Sequence, residues 1–199
     1  MAVNLQKGQK IDLTKGNPGL KHVMVGLGWD EVKKGGILGG LFGGHQDFDC
    51  DASAILITES TGKLSSKNDL VYFGNLTHNS GAVKHMGDNL TGAGDGDDEQ
   101  IFVDLSKLPA QYSKIVIVVN IYEARARRQD FGMIKNAFIR LVDSDKNQEL
   151  CRYNLSENYN GMTSMIFGEL YRHNGEWKFS AIGQATADDG LGALIRRYN

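Results

Sequence analysis

The chain has 199 residues, 41% of them apolar and 9% aromatic, with a formal net charge of −2. That length favours one domain, running from 1 to 199, with a core of useful size. Two cysteines, Cys50 and Cys151, are too few for a disulfide framework and suit a reducing, cytoplasmic setting. The opening MAVNLQKGQKIDL lacks a signal-like apolar run, and no stretch approaches the ~20 apolar residues of a membrane helix.

Taken in chain order, the pattern is mostly strand. Val3 to Leu13 mixes polar and apolar residues around a turn near Gly8. Lys21 to Leu27 reads as a strand entering Gly28-Trp29-Asp30. Lys33 to Gly44, KKGGILGGLFGG, is a glycine-rich insertion with apolar tips. Its plain reading is a flexible connection, and its sharper one a loop that meets a membrane or a partner. Ser53 to Thr58, Leu70 to Leu76 and Ile101 to Leu105 follow as short apolar runs. Lys114 to Tyr122, KIVIVVNIY, is nearly continuous in Ile and Val, as a strand buried on both faces would be.

Ser106 to Ala110 suggests a single helical turn, and Glu123 to Gln129 a short polar helix. Ala137 to Val142, Glu149 to Leu155, Ser164 to Arg172 and Trp177 to Ile182 read as further strands. Asn174-Gly175 between the last two is a hairpin signal. Gly190 to Tyr198 suggests a terminal helix capped by Asp188 or Asp189. Many strands at short spacing predict an all-β fold, an antiparallel β-sandwich with a few short helices including the C-terminal one.

Two acidic elements carry the chemistry. Residues 87–99, GDNLTGAGDGDDE, hold Asp88, Asp95, Asp97, Asp98 and Glu99, with Asn89 and interleaved glycines. Residues 47–51, DFDCD, alternate Asp47, Asp49 and Asp51 with Phe48 and Cys50. The strand period of two places the three carboxylates on one face and Phe48 and Cys50 on the core side. Asp30 is a third contributor. Eight of the 24 acidic residues fall in the two elements, leaving 16 against 22 Lys plus Arg, so negative charge is concentrated here. The modest basic excess elsewhere does not imply nucleic acid.

Carboxylates this dense repel unless neutralised. Hard oxygens on a bendable loop suit calcium, one ion or two, because it accepts six to eight oxygens in loose geometry. The candidate ligands are Asp30, Asp47, Asp49, Asp51, Asp88, Asn89, Asp95, Asp97, Asp98 and Glu99. In strand alternation Asp97 and Glu99 point one way and Asp98 the other. An EF-hand does not fit: counting from Asp47, the sixth and twelfth positions are Ala52 and Thr58, and counting from Asp95 the sixth is Gln100. A single GAGDGDDEQ cannot make a calcium-binding β-helix, which needs stacked copies.

His45 and His85 read as surface or supporting residues, since no zinc-like spacing is present. Trp29 and Trp177 read as core, and Arg125, Arg127 and Arg128 as a solvated face. No GxSxG, HExxH or P-loop occurs, so the chain reads as a binding protein and not an enzyme. The alternative is a metal-dependent hydrolase of phosphate esters using the same acids.

Five stretches, GLGWD at 26–30, DFDCDAS at 47–53, the 87–99 loop, FGMIKNAFIRLVD at 131–143 and FGELYRHNGEWKFSAIG at 167–183, resemble the TerD family of bacterial tellurite-resistance and general stress proteins. The match runs in order over nearly the whole chain. The resemblance implies a β-sandwich that binds calcium through the two acidic motifs. It also implies a role in resistance to tellurium oxyanions and other chemical stress, with membrane-associated protein partners and a location in the cytoplasm or at the inner face of the membrane. Two departures stand out: Cys50 replaces the Leu usual in DFDLDAS, and the apolar 33–44 segment is longer than in many relatives, as in one subgroup.

Overall fold

A computed structural model describes residues 2–31, 48–87 and 96–199. Two six-stranded sheets face each other. The first has the order β1 (Val3–Leu5), β10 (Gln148–Asn154), β9 (Ile134–Asp143), β3 (His22–Glu31), β7 (Glu99–Asp104), β6 (Val83–His85). The second runs β2 (Lys10–Asp12), β12 (Glu176–Thr186), β11 (Ser164–His173), β8 (Tyr112–Ile121), β4 (Cys50–Thr58), β5 (Leu70–Val71). The β1–β10 pair is parallel and the other pairings are antiparallel. The expected antiparallel sandwich is therefore what the chain forms.

The core between the sheets holds alternate residues of each strand, among them Val23, Val25 and Leu27 of β3, Ile101 of β7, and Ile115, Ile117 and Ile121 of β8. The near-continuous Ile and Val run of β8 has a second reason. Val116 and Val118 face away from that core and join Ile55, Ile57, Ile166 and Leu194 in a separate apolar cluster. The cover is the C-terminal segment, a short helix over Leu191–Leu194 followed by a 3-10 turn over Ile195–Tyr198. β8 is thus buried on both faces, as its composition predicts.

All four edge strands are two or three residues long, which limits exposed backbone. The β11–β12 hairpin turns at Asn174 and Gly175, with φ of 54° and 79°, the paired positive values a two-residue turn of this hand needs.

Three local expectations are corrected. Leu70 to Leu76 is a strand only at Leu70–Val71, because Tyr72 and Asn75 bond to each other across a tight turn. Ser106 to Ala110 is a turn and not a helix, since the Asp104 carboxylate accepts from the Ser106 and Lys107 N–H groups in place of a helical carbonyl. The terminal helix begins at Leu191, with Gly190 before it and no side-chain cap. Asp188 instead accepts from Thr186 Oγ1 and Arg197 Nε, tying the last turn down at its far end.

Candidate metal site

The start of β4, the end of β3, the end of β6 and the residues leading into β7 come together at one end of the sandwich. β4 and β7 belong to different sheets and contact each other there. His85, only 2% exposed, is the link. Its Nε2 lies 3.1 Å from the Ala52 carbonyl and 3.0 Å from Glu99 Oε2. Its Nδ1 accepts from the Gly87 N–H at 3.2 Å, which leaves the proton on Nε2 to donate to the Ala52 carbonyl, with the Glu99 carboxylate close beside it. One imidazole so joins the DFDCDAS element to the strand that leaves the acidic loop.

Asp98 owes its position to a bulge. The β3–β9 register shifts between Gly28 and Asp30, which frees the Trp29 N–H from that ladder. Asp98 Oδ2 accepts it at 2.8 Å, while the Asp98 N–H donates to Leu27 O at 2.7 Å. Burial raises the Asp98 carboxyl to about 6; the Trp29 N–H opposes this, and Asp30, Asp97 and Glu99 add repulsion.

Asp97 and Glu99 do not share a side, contrary to strand alternation, because regular β7 begins only at Glu99 and Gly96 (φ 123°) turns the chain just before it. Glu99 is buried against His85. Asp97 lies on the outer face of the first sheet, where Arg140 Nε and a terminal guanidinium nitrogen donate to its two oxygens at 2.7 and 2.9 Å. That placement needs a glycine beneath it: a Cβ at Gly26 would sit 2.3 Å from the carboxylate. Asp30, exposed on the same side, accepts from Asn136 Nδ2 at 2.6 Å.

On β4, Cys50 faces the core and Asp51 the opposite side, as the alternation predicts. Asp51 is 5% exposed and accepts from Asn120 Nδ2 at 3.1 Å. The Asp49 carboxylate lies 3.8 Å from an Arg127 guanidinium nitrogen, and its carbonyl accepts from the Tyr122 N–H. Burial holds the Cys50 thiol well above its ordinary value, with Asp51, Asp49, Asp98 and Glu99 adding to the effect. Both acidic elements therefore act electrostatically on one core thiol. Burial likewise pushes Cys151 to about 12, so both thiols stay protonated and unreactive near neutrality.

The described candidates thus split around one end. Asp30 and Asp97 lie on the first sheet's outer side with partners of their own, Asp98 and Glu99 lie at the junction of the sheets, and Asp49 and Asp51 lie on the second sheet. Among the described residues no three His, Cys, Asp or Glu side chains are close enough to hold one ion. Asp47, Asp88, Asn89 and Asp95, together with His45 and the 33–44 segment, fall outside the described residues. Trp29 and Trp177 are core residues, as expected. Arg127 is not simply solvated: it stacks on Tyr122 at 5.0 Å and faces Asp49.

Sequence reasoning missed Arg140 and Asn120. Arg140 looks like an ordinary outward residue of an alternating strand. Asn120 did leave a signal, as a lone amide in the apolar run KIVIVVNIY.

The model of the TerD domain matches residues 1–198. The chain belongs to the TerD family. It is 53% identical to a Bacillus subtilis stress response protein, SCP2, over the whole of both chains. It is 48% identical to the tellurium resistance protein TerD of Serratia marcescens, over all of this chain and 97% of that one. In fold it is similar to a crystal structure of a protein of unknown function, with a TM-score of 0.69 at 22% identity over 89% of this chain and 95% of that one. A second fold neighbour is a Streptomyces coelicolor homologue of the telluride resistance protein, with a TM-score of 0.64 at 20% identity over 86% and 93% of the two chains. Among the described residues, no helix of this TerD-family chain is long and apolar enough to cross a membrane.

Proposed function

We propose that this protein is a calcium-binding module of a bacterial stress response that includes resistance to tellurium compounds, and that it works by binding and not by catalysis. The stress and tellurium assignment is supported by the names of close full-length relatives. The calcium assignment is supported above all by the His85 link, which holds the two acidic elements against each other.

The donor chemistry fits a hard cation. The residues at this end offer carboxylate oxygens, some buried, and Asp98 is held partly protonated near neutral pH by burial and by its acidic neighbours. Asp49, Asp51, Asp98 and Glu99 are the described residues that would contribute donors, never three of them alone to one ion, with Asp47, Asp88, Asn89 and Asp95 as the remaining donors to one ion or two. Bound calcium would neutralise these carboxylates and stiffen the end of the sandwich. The stiffened end would then meet protein partners in the cytoplasm or at the membrane's inner face. Two free, buried thiols suit a reducing compartment.

A hydrolase is disfavoured by the same geometry. His85 has both ring nitrogens engaged within the fold, so it is not poised to activate water. Calorimetric titration with Ca2+ and Mg2+ tests the proposal. Saturable calcium binding, with magnesium markedly weaker and no phosphate-ester turnover, is expected. Metal-dependent turnover would favour the hydrolase, and absence of any calcium binding would reject the module.

A further inference from the structure

The outer face of the second sheet carries a polar row at the acidic end. In register across four strands stand Asp51 of β4, Asn120 of β8, Ser164 of β11 and Thr186 of β12. Ser53 lies two residues along β4 on the same face as Asp51. Beyond them the face is apolar, with Ile55, Ile57, Val116 and Val118 covered by Leu194. All five polar residues are at most 6% exposed. Polar groups at that depth are costly unless something pairs with them.

One half of the row is closed within the fold. Ser164 Oγ and Thr163 Oγ1 donate to the Asp188 carbonyl at 3.1 and 2.7 Å, and Thr186 Oγ1 donates to Asp188 Oδ2 at 2.7 Å. The other half is not. Asn120 Nδ2 donates to Asp51 Oδ2, but Asn120 Oδ1 and Ser53 Oγ have no hydrogen-bond partner. Turning the amide over does not help, because Oδ1 would then face the carboxylate. Two unpaired oxygens, one on the amide bonded to a buried carboxylate and one a hydroxyl two residues along the same strand face, therefore lie on this part of the sheet.

From this we infer that Asn120 Oδ1 and Ser53 Oγ, which lie outside the two acidic runs, are cation ligands that complete a coordination position with Asp51. The negative charge of Asp51 favours a cation over a neutral donor at these oxygens, and carboxylate, amide and hydroxyl oxygens together are the ligand set of a hard divalent ion, calcium before magnesium. The inference rests on the calcium reading above and adds two neutral ligands to it.

The test is calcium chloride titration by calorimetry, with thermal unfolding of the calcium-free and calcium-loaded forms, on the wild type, Asn120→Ala, Asn120→Asp, Ser53→Ala and Thr186→Val. Asn120→Ala should weaken calcium binding by about tenfold or more, the usual scale for disturbing a metal's support. Ser53→Ala should weaken it less, and Thr186→Val, in the closed half, should leave it unchanged.

Asn120→Asp gives the sharpest sign. It sets two carboxylates against each other, so the calcium-free protein should melt lower while the upward shift on adding calcium grows. A purely structural amide predicts the lower melting without the larger calcium shift. Should Asn120→Ala not fold, Asn120→Asp and Ser53→Ala decide. Wild-type affinity in all three site variants overturns this inference and leaves the calcium reading standing. No calcium binding by the wild type overturns both.

Discussion

Asp98 and Asp104 stand at opposite ends of β7 and titrate in opposite directions. Burial raises Asp98 to about 6, against the Trp29 N–H and with the help of Asp30, Asp97 and Glu99. Burial acts on Asp104 as well, but hydrogen bonds from Ser106 and Lys107 outweigh it and hold the group at about 2. Around Asp104 the chain supplies its own cation, Lys107 at 3.1 Å, with the His22 ring at 3.5 Å, while Lys146 serves nearby Asp143 at 3.1 Å. Around Asp98 the named charges are acidic. The same residue type at the two ends of one strand is thus held ionised by the fold at one end and pushed toward its neutral form at the other. The difference singles out the end of the sandwich at which calcium binding is proposed.

The largest effect expected from this contrast is calcium itself. An excess of about a thousand over Kd stabilises by about 4 kcal/mol, or roughly 10 °C for a domain of this size. Differential scanning calorimetry in calcium and in a chelator should show it, and equal melting in the two would break the comparison at its root.

Next is Arg140, a cation of the chain's own at the acidic end. Arg140→Ala leaves a fully covered Asp97 carboxylate without its guanidinium and should cost about 3 kcal/mol by chemical denaturation. A loss below about 0.5 kcal/mol would mean the pair is solvated and the contrast overstated.

Asp98→Asn should go the other way in the calcium-free protein. A carboxyl raised in the folded state destabilises progressively as pH climbs from about 4 toward 6. The variant should therefore be more stable than the wild type at pH 7.5, by about 1 to 2 kcal/mol after allowing for partial solvation. The gain should vanish near pH 4, and the same variant should lose most of the calcium-induced rise in melting. A less stable calcium-free variant at pH 7.5 would contradict the assignment.

Asp104→Asn is the smallest and has the opposite sign. A depressed carboxylate stabilises above its unfolded value and loses that contribution as pH falls toward about 2. The variant should be less stable by about 1 kcal/mol at pH 7, with the gap closing at the acid limit. A gap that persists there would mean the Ser106 and Lys107 hydrogen bonds matter more than charge.

Much of the sandwich was legible in the chain because the signals are local. The Ile and Val run of β8, the Asn174-Gly175 turn and the inward Phe48 and Cys50 set against outward Asp51 each declare their structure within ten residues. The acidic composition of the site was legible for the same reason. Its geometry was not. Asp97 turns to the outer face because Arg140, 43 positions away, and the bare backbone of Gly26 receive it there. His85 was legible as a supporting residue, but not that it spans two sheets, which depends on Ala52 and Glu99 meeting across the sandwich edge. The three-residue β6 on which His85 sits escaped notice because an edge strand that short has no period to read.

The most direct test of the account is a calcium titration followed residue by residue through backbone amide NMR shifts. Residues 49–53, 85–87 and 97–99 should move together with one midpoint, while 104–107 and 143–146 at the far end stay still. Shifts confined to a single acidic element, or spread equally over both ends, would contradict the claim that the two elements converge on calcium.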